Sequence, residues 1–216
     1  MAEETISQRV DRLLSGVTDD QRPFLHSYLS GLVDRLSKAE QSVVSGLALF
    51  GAMWAAAYLV SKGFIGEVAP VGVHLIHVQD LLIAVPPILG FVSYNLSAAL
   101  SVSMVLEEAV REIYIKCLPT LGKTGLESLF WSHTFIGAEQ HEVLATRSRL
   151  ETVLSAAVEY GIVVFCWFGA GAAIIHVGYL AEQLHRWPQW LTYVSVVLGC
   201  LLWLRGAVMI YHRTVS

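Results

Sequence analysis

Four long apolar stretches, at about residues 43–61, 84–106, 158–178 and 190–210, constrain this chain more than any other feature. Each has roughly the 20 residues that an α-helix, rising 1.5 Å per residue, needs to cross a hydrocarbon core. The predicted fold class is therefore all-α: a four-span transmembrane helical bundle whose helices extend into a small cytoplasmic helical bundle. On this reading residues 1–42 form cytoplasmic amphipathic helices. Residues 43–216 form the membrane domain, with 107–157 as a cytoplasmic helical insertion. Composition agrees, since 55% of the 216 residues are hydrophobic and only 15% are charged. A net charge of −4 with 14 Lys and Arg leaves little for a duplex-binding surface, so no direct nucleic-acid contact is expected. Membrane lipid is the first expected partner.

Basic residues set the orientation. Arg9, Arg12, Arg22, Arg35 and Lys38 precede the first span; Arg111, Lys116, Lys123, Arg147 and Arg149 lie between spans two and three; Arg213 follows the fourth. Only Lys62 and Arg186 lie in the two hairpins, so eleven cations face two and the termini are predicted to be cytoplasmic. The first 42 residues carry seven acids and no apolar signal region, so the first hydrophobic segment reads as a true span. Cys117 falls on the cytoplasmic side, and Cys166 and Cys200 fall within spans, which predicts no disulfide. The preference for Arg over Lys, ten to four, leans towards a bacterial inner membrane.

The N-terminal region alternates apolar and polar residues at helical spacing. Ile6, Val10, Leu13, Leu14 and Val17 form one face, and Thr18-Asp19-Asp20-Gln21 makes a capping box ahead of a second helix. That helix carries Leu25, Leu29, Leu32 and Leu36 on one stripe and is expected to run on into span one. Span two likewise keeps helical composition until Pro119. Span three is expected to begin as a cytoplasmic helix with Val143, Leu150 and Leu154 on one stripe. These stripes either bury one another or a neighbouring subunit, or they dock a soluble partner.

Polar residues at membrane depth are functional candidates. In span two, Gly90, Ser93, Ser97, Ser101 and Glu108 share a helical face. A hydroxyl stripe ending in a carboxylate can line a cation path; equally, Ser and Gly let helices approach closely. Ala48, Ala52 and Ala56, Gly169 and Ala173, and Ser195 and Gly199 give the other spans small-residue spacing that permits a homo-oligomer. Glu159 and Arg205 fall near the cytoplasmic ends of antiparallel neighbours, with Arg205 about 9 Å deeper. Snorkelling can close that gap into an interfacial pair, or the two groups can serve gating or proton handling.

On the outer side, His74, His77 and Asp80 recur at spacing three, which on a helix would place two imidazoles and a carboxylate where Zn²⁺ could be held. The alternative is the polar edge of an interfacial helix. His176 has no second buried His at its depth to complete a haem site, and no cofactor is expected. His133, Glu139, His141 and Glu142 cluster around Gly137, but no zinc-protease, phosphate-loop or nucleophile-elbow motif accompanies them. The chain is expected not to be an enzyme. The leading expectation is an oligomeric membrane subunit serving as anchor, scaffold or sensor for a soluble cytoplasmic protein. An ion-conducting or membrane-permeabilising effector lined by span two, and an integral membrane enzyme or metal-dependent sensor, are the alternatives. In organisation alone, such a small four-span chain resembles the membrane components of bacterial defence or toxin systems, which implies the effector reading.

Overall fold

The structure, a computed structural model, describes residues 6–15, 22–64, 67–68, 76–117, 160–184 and 186–215. In chain order these form α1 (Ile6–Ser15), α2 (Arg22–Ser61), strands β1 (Glu67–Val68) and β2 (Ile76–His77), and a 3-10 helix (Val78–Ala84) leading into α3 (Val85–Cys117). A π turn (Phe165–Gly169) then precedes α4 (Ala170–Gln183), and α5 (Gln189–Val215) follows. Apart from the two-residue strand pair and the short turns at 62–64, 184 and 186–188, the described residues are helical. Four segments are long and apolar enough to cross a membrane: Ser27–Ser61, Gln79–Ile113, Tyr160–Gln183 and Gln189–His212. The all-α, four-span fold class is thus what the chain adopts.

Local chemistry explains where the helices begin and end. Pro23, Pro86 and Pro87 lie in first turns, where a missing N–H leaves no helical bond unmade. Pro188 precedes α5, and its carbonyl accepts the Leu191 N–H at 2.9 Å. α2 stops in a Schellman motif: Gly63 takes φ of 77°, its N–H bonds the Val60 carbonyl, and the Phe64 N–H bonds the Leu59 carbonyl, both at 3.1 Å. A glycine there accepts the left-handed turn without the Cβ clash of other residues. One expectation is corrected here. The helical face that would have carried His74, His77 and Asp80 is not formed, because Ile76 and His77 pair antiparallel with Val68 and Glu67, while Asp80 lies in the following 3-10 helix. The β-branched residues around this short pair favour extended backbone over helix.

The chain divides into two compact units, residues 1–41 with 100–160, and residues 42–99 with 161–216. α2 and α3 each contribute to both. In the second unit Phe50 and Ala57 of α2, Leu89 and Val92 of α3, and Ala170, Ala173, Ile174 and Val177 of α4 form the core. Apolar burial gains little for helices already in lipid, so close packing must hold them. Glycines supply it. Gly90 of α3 abuts the backbone of Gly199 on α5, and a β-carbon at Gly199 would stand 2.5 Å from the Pro86 carbonyl oxygen. Gly171 meets the Trp203 indole, where an added β-carbon would come within 2.9 Å, and Gly178 meets Val196. Ala48, Ala52 and Ala56 instead point outward, beside exposed Leu49, Trp54 and Leu59.

In the first unit, Val10 of α1 packs with Leu32 and Leu36 of α2 and Val110 and Ile113 of α3, with Leu29 partly buried against them. Part of the leucine stripe therefore buries within its own chain; the Leu25 side chain, like all of Val143, Leu150 and Leu154, lies outside the described residues. Lys116 completes the docking of α1. Its ammonium contacts Asp11 at 2.7 Å and Glu112 at 3.4 Å, and donates to the Ser7 hydroxyl and carbonyl at 2.9 and 3.1 Å. The Ser7 hydroxyl donates in turn to Glu112 at 3.0 Å.

Two outcomes follow from these contacts. Gly199→Val should cost about 1–3 kcal/mol by overpacking, whereas Ala52→Val on the outward face should stay within about 0.5 kcal/mol, both read by reversible unfolding in detergent. The hydrogen bond to Asp11, aided by Glu112, raises the Lys116 pKa above its ordinary 10.5. A raised lysine pKa contributes stability that is complete below the unfolded value and is lost as pH climbs through the folded one. A spin label on Ser15 should therefore report α1 docked from about pH 6 to about pH 9, with release only in the lysine range or above.

Candidate functional site

Within the second unit the polar residues gather where α3, the π turn and α5 meet. Ser93 and Ser97, one turn apart on α3, are both 0% exposed. Helical spacing from Gly90 explains it: the glycine brings α5 against α3, and residues three and seven positions on turn the same way. Ser97 lies against Gly206 of α5, where a β-carbon would stand 2.9 Å from its Oγ, and is a neighbour of Cys166. Among the described residues the Ser93 hydroxyl and the Trp167 Nε1–H have no hydrogen-bond partner, and the Ser97 hydroxyl has only the Cys166 thiol beside it. By contrast Ser103 bonds back to the Leu100 carbonyl at 2.8 Å, the usual satisfaction of a helical serine.

The π turn explains the neighbouring contact. One wide turn spans Phe165–Gly169, closed by the Ala170 N–H on the Phe165 carbonyl, and the Trp203 indole N–H of α5 donates to the Cys166 carbonyl within it at 2.8 Å. Phe165 folds over Gly169, where a β-carbon would lie 2.6 Å from its ring, and meets Phe50 edge to face at 5.1 Å. Thus α2, α5 and the third span are tied at one level by two aromatics and one indole bond. Sequence reasoning missed this knot. Its only signals were Gly169 and Gly171 directly after the aromatic run Phe165, Trp167 and Phe168, which do not announce a π turn.

Other polar residues are engaged singly. Asp80 contacts Arg186 at 3.6 Å, and its carbonyl accepts the Trp187 indole N–H at 3.1 Å. Glu182 accepts the Tyr193 hydroxyl at 3.2 Å, and His176 Nδ1 accepts the Trp54 indole N–H at 3.3 Å. Ser195 bonds the Ile83 carbonyl. The guanidinium of Arg205 lies 5.5 Å from the centroid of the Tyr94 ring, a cation–π contact between α5 and α3. Glu159 lies outside the described residues, as do His74 and the side chain of His77. Among the described residues no three His, Cys, Asp or Glu side chains gather where a metal ion could be held.

Of the predicted stripe, then, Gly90, Ser93, Ser97 and Ser101 are buried and Glu108 is exposed. Chemically, the arrangement offers hydrogen-bonding hydroxyls and an indole-pinned carbonyl. Trp203→Phe should remove the indole bond to the Cys166 carbonyl and cost about 1–3 kcal/mol in detergent unfolding, against about 0.5 kcal/mol or less for Trp190→Phe on the exposed face. Family models, curated proteins and solved structures contain no match to this chain.

Proposed function

We propose that this protein is a non-enzymatic, multi-pass membrane subunit of homo-oligomeric assembly that presents its first helical unit to a soluble cytoplasmic protein as anchor, scaffold or sensor. The observation that carries this reading is the continuity of α2 and α3, which are 40 and 33 residues long. Each is longer than a bilayer crossing of about 20 residues requires. The surplus is amphipathic, and with α1 it builds a packed core of its own around Val10, Leu36 and Val110. A chain serving only as a hydrophobic plug has no use for such a unit. Tyr28, half exposed, and Arg35, exposed on the same helix, are residue types that dominate binding energy at interfaces. The bacterial inner membrane, with both termini cytoplasmic, is the compartment this reading assigns from the distribution of Lys and Arg.

A second reading, an ion-conducting or permeabilising effector, draws on Ser93 and Ser97. Among the described residues Ser93 has no hydrogen-bond partner; a buried hydroxyl in that state is commonly satisfied by water, and water in a span is the beginning of a path. One preparation separates the two: the full chain purified from its host in nanodiscs, with mass and co-purifying proteins measured. The scaffold reading predicts a stoichiometric soluble protein whose recovery falls at least about tenfold with Tyr28→Ala and Arg35→Glu, the oligomer and its melting being unchanged. A bare oligomer that conducts, with conduction altered by Ser97→Leu, would overturn it in favour of the effector.

A further inference from the structure

We infer that the groove between α2 and α3 in the first unit is a helix-binding site whose occupant in this structure, α1, stands in for an amphipathic helix of the soluble partner. This rests on the scaffold reading above and names what that partner must carry. α1 has ten residues, fewer than the roughly 12–15 an isolated helix needs in water, so its helical form depends on the groove. It is seated as helix-in-groove ligands are, by apolar residues at spacing four: Ile6, Val10 and Leu14 meet the surface of Leu32, Leu36, Val110 and Ile113.

Apolar burial alone would accept many helices; Lys116 adds the selectivity. Its ammonium engages three groups at once, Asp11 at 2.7 Å, the Ser7 hydroxyl at 2.9 Å and Glu112 at 3.4 Å. Two of those groups belong to α1 and one to the groove wall. The site therefore reads a pattern: apolar at positions one, five and nine, a hydroxyl at position two and a carboxylate at position six. Groove and lysine belong to the same unit, so a partner helix with that pattern gains every contact α1 makes. A helix with a cation at position six would instead face Lys116 and be rejected.

The probe is a fluorescent peptide of residues 1–21, titrated into the full-length chain in nanodiscs. Wild type should bind it weakly, because α1 competes in cis. Val10→Asp, which removes that competitor, should tighten binding at least tenfold. In the Val10→Asp background Lys116→Glu should weaken binding at least tenfold, and a peptide with Asp11→Lys should restore it. Should Val10→Asp disrupt the unit, seen as lost helical circular dichroism, Ser7→Ala with Asp11→Ala loosens α1 without adding a buried charge and must give the same rise. No binding to any folded variant, or binding indifferent to the charge exchange, overturns the inference. A protein whose mass doubles when α1 is loosened overturns it too, by giving the groove to a second copy. Partner recovery is scored separately on the same samples, so a silent groove with a retained partner discards the groove while the scaffold reading stands.

Discussion

Inside a bilayer every backbone amide must be paired, and an α-helix pairs them all within the segment that carries them. The rest of this structure depends on that constraint, because the two helices meeting it most fully, α2 and α3, do not stop at bilayer length. A helix that leaves hydrocarbon keeps its ladder and changes only its side chains. In α2 the change falls within one element: Asp34, Arg35, Lys38, Glu40 and Gln41 give way to Val43, Leu47, Leu49 and Phe50 without a break in the helix. One backbone solution thereby supports two kinds of packing.

The packing differs because the driving forces differ. In the second unit glycines set the contact, Gly90 against Gly199 and Gly171 against Trp203, and dispersion at close approach replaces hydrophobic burial. In the first unit the helices carry polar faces, and on the proposed reading, which puts that unit in water, burial of Val10, Leu32, Leu36, Val110 and Ile113 has the usual value, about 1.5–3 kcal/mol for each side chain fully removed from water. Lys116 then fixes how α1 lies, since a charge shared among Asp11, Glu112 and Ser7 has one good geometry.

Much of this was legible in the residues. Length and hydropathy mark the four spans, the leucine spacing in α2 marks a buried stripe, and Pro86 and Pro87 mark the start of α3, because each signal is local and repeats at helical period. Contacts that depend on two distant segments were not legible. Nothing near Lys116 in sequence points to Asp11, and nothing near Cys166 points to Trp203, 37 residues away. The His74, His77 and Asp80 spacing misled for a related reason: spacing three implies one face only if the segment is helical, and Ile76 and His77 are held in a strand pair by Glu67 and Val68. Tyr94 beneath Arg205 was likewise invisible, since spacing along one helix says nothing of its neighbour.

The account stands on α2 being one helix that changes environment along its length. The most direct measurement is a nitroxide scan from Ser30 to Ser61 in nanodiscs, recording accessibility to oxygen and to a water-soluble nickel chelate. An unbroken period of about 3.6 residues is predicted throughout. The outward face at Ser30, Asp34 and Lys38 should be reached by the chelate, and the outward face at Leu49, Trp54 and Leu59 by oxygen alone. Loss of the period near residue 42, or chelate reaching Leu49, Trp54 and Leu59, would contradict it.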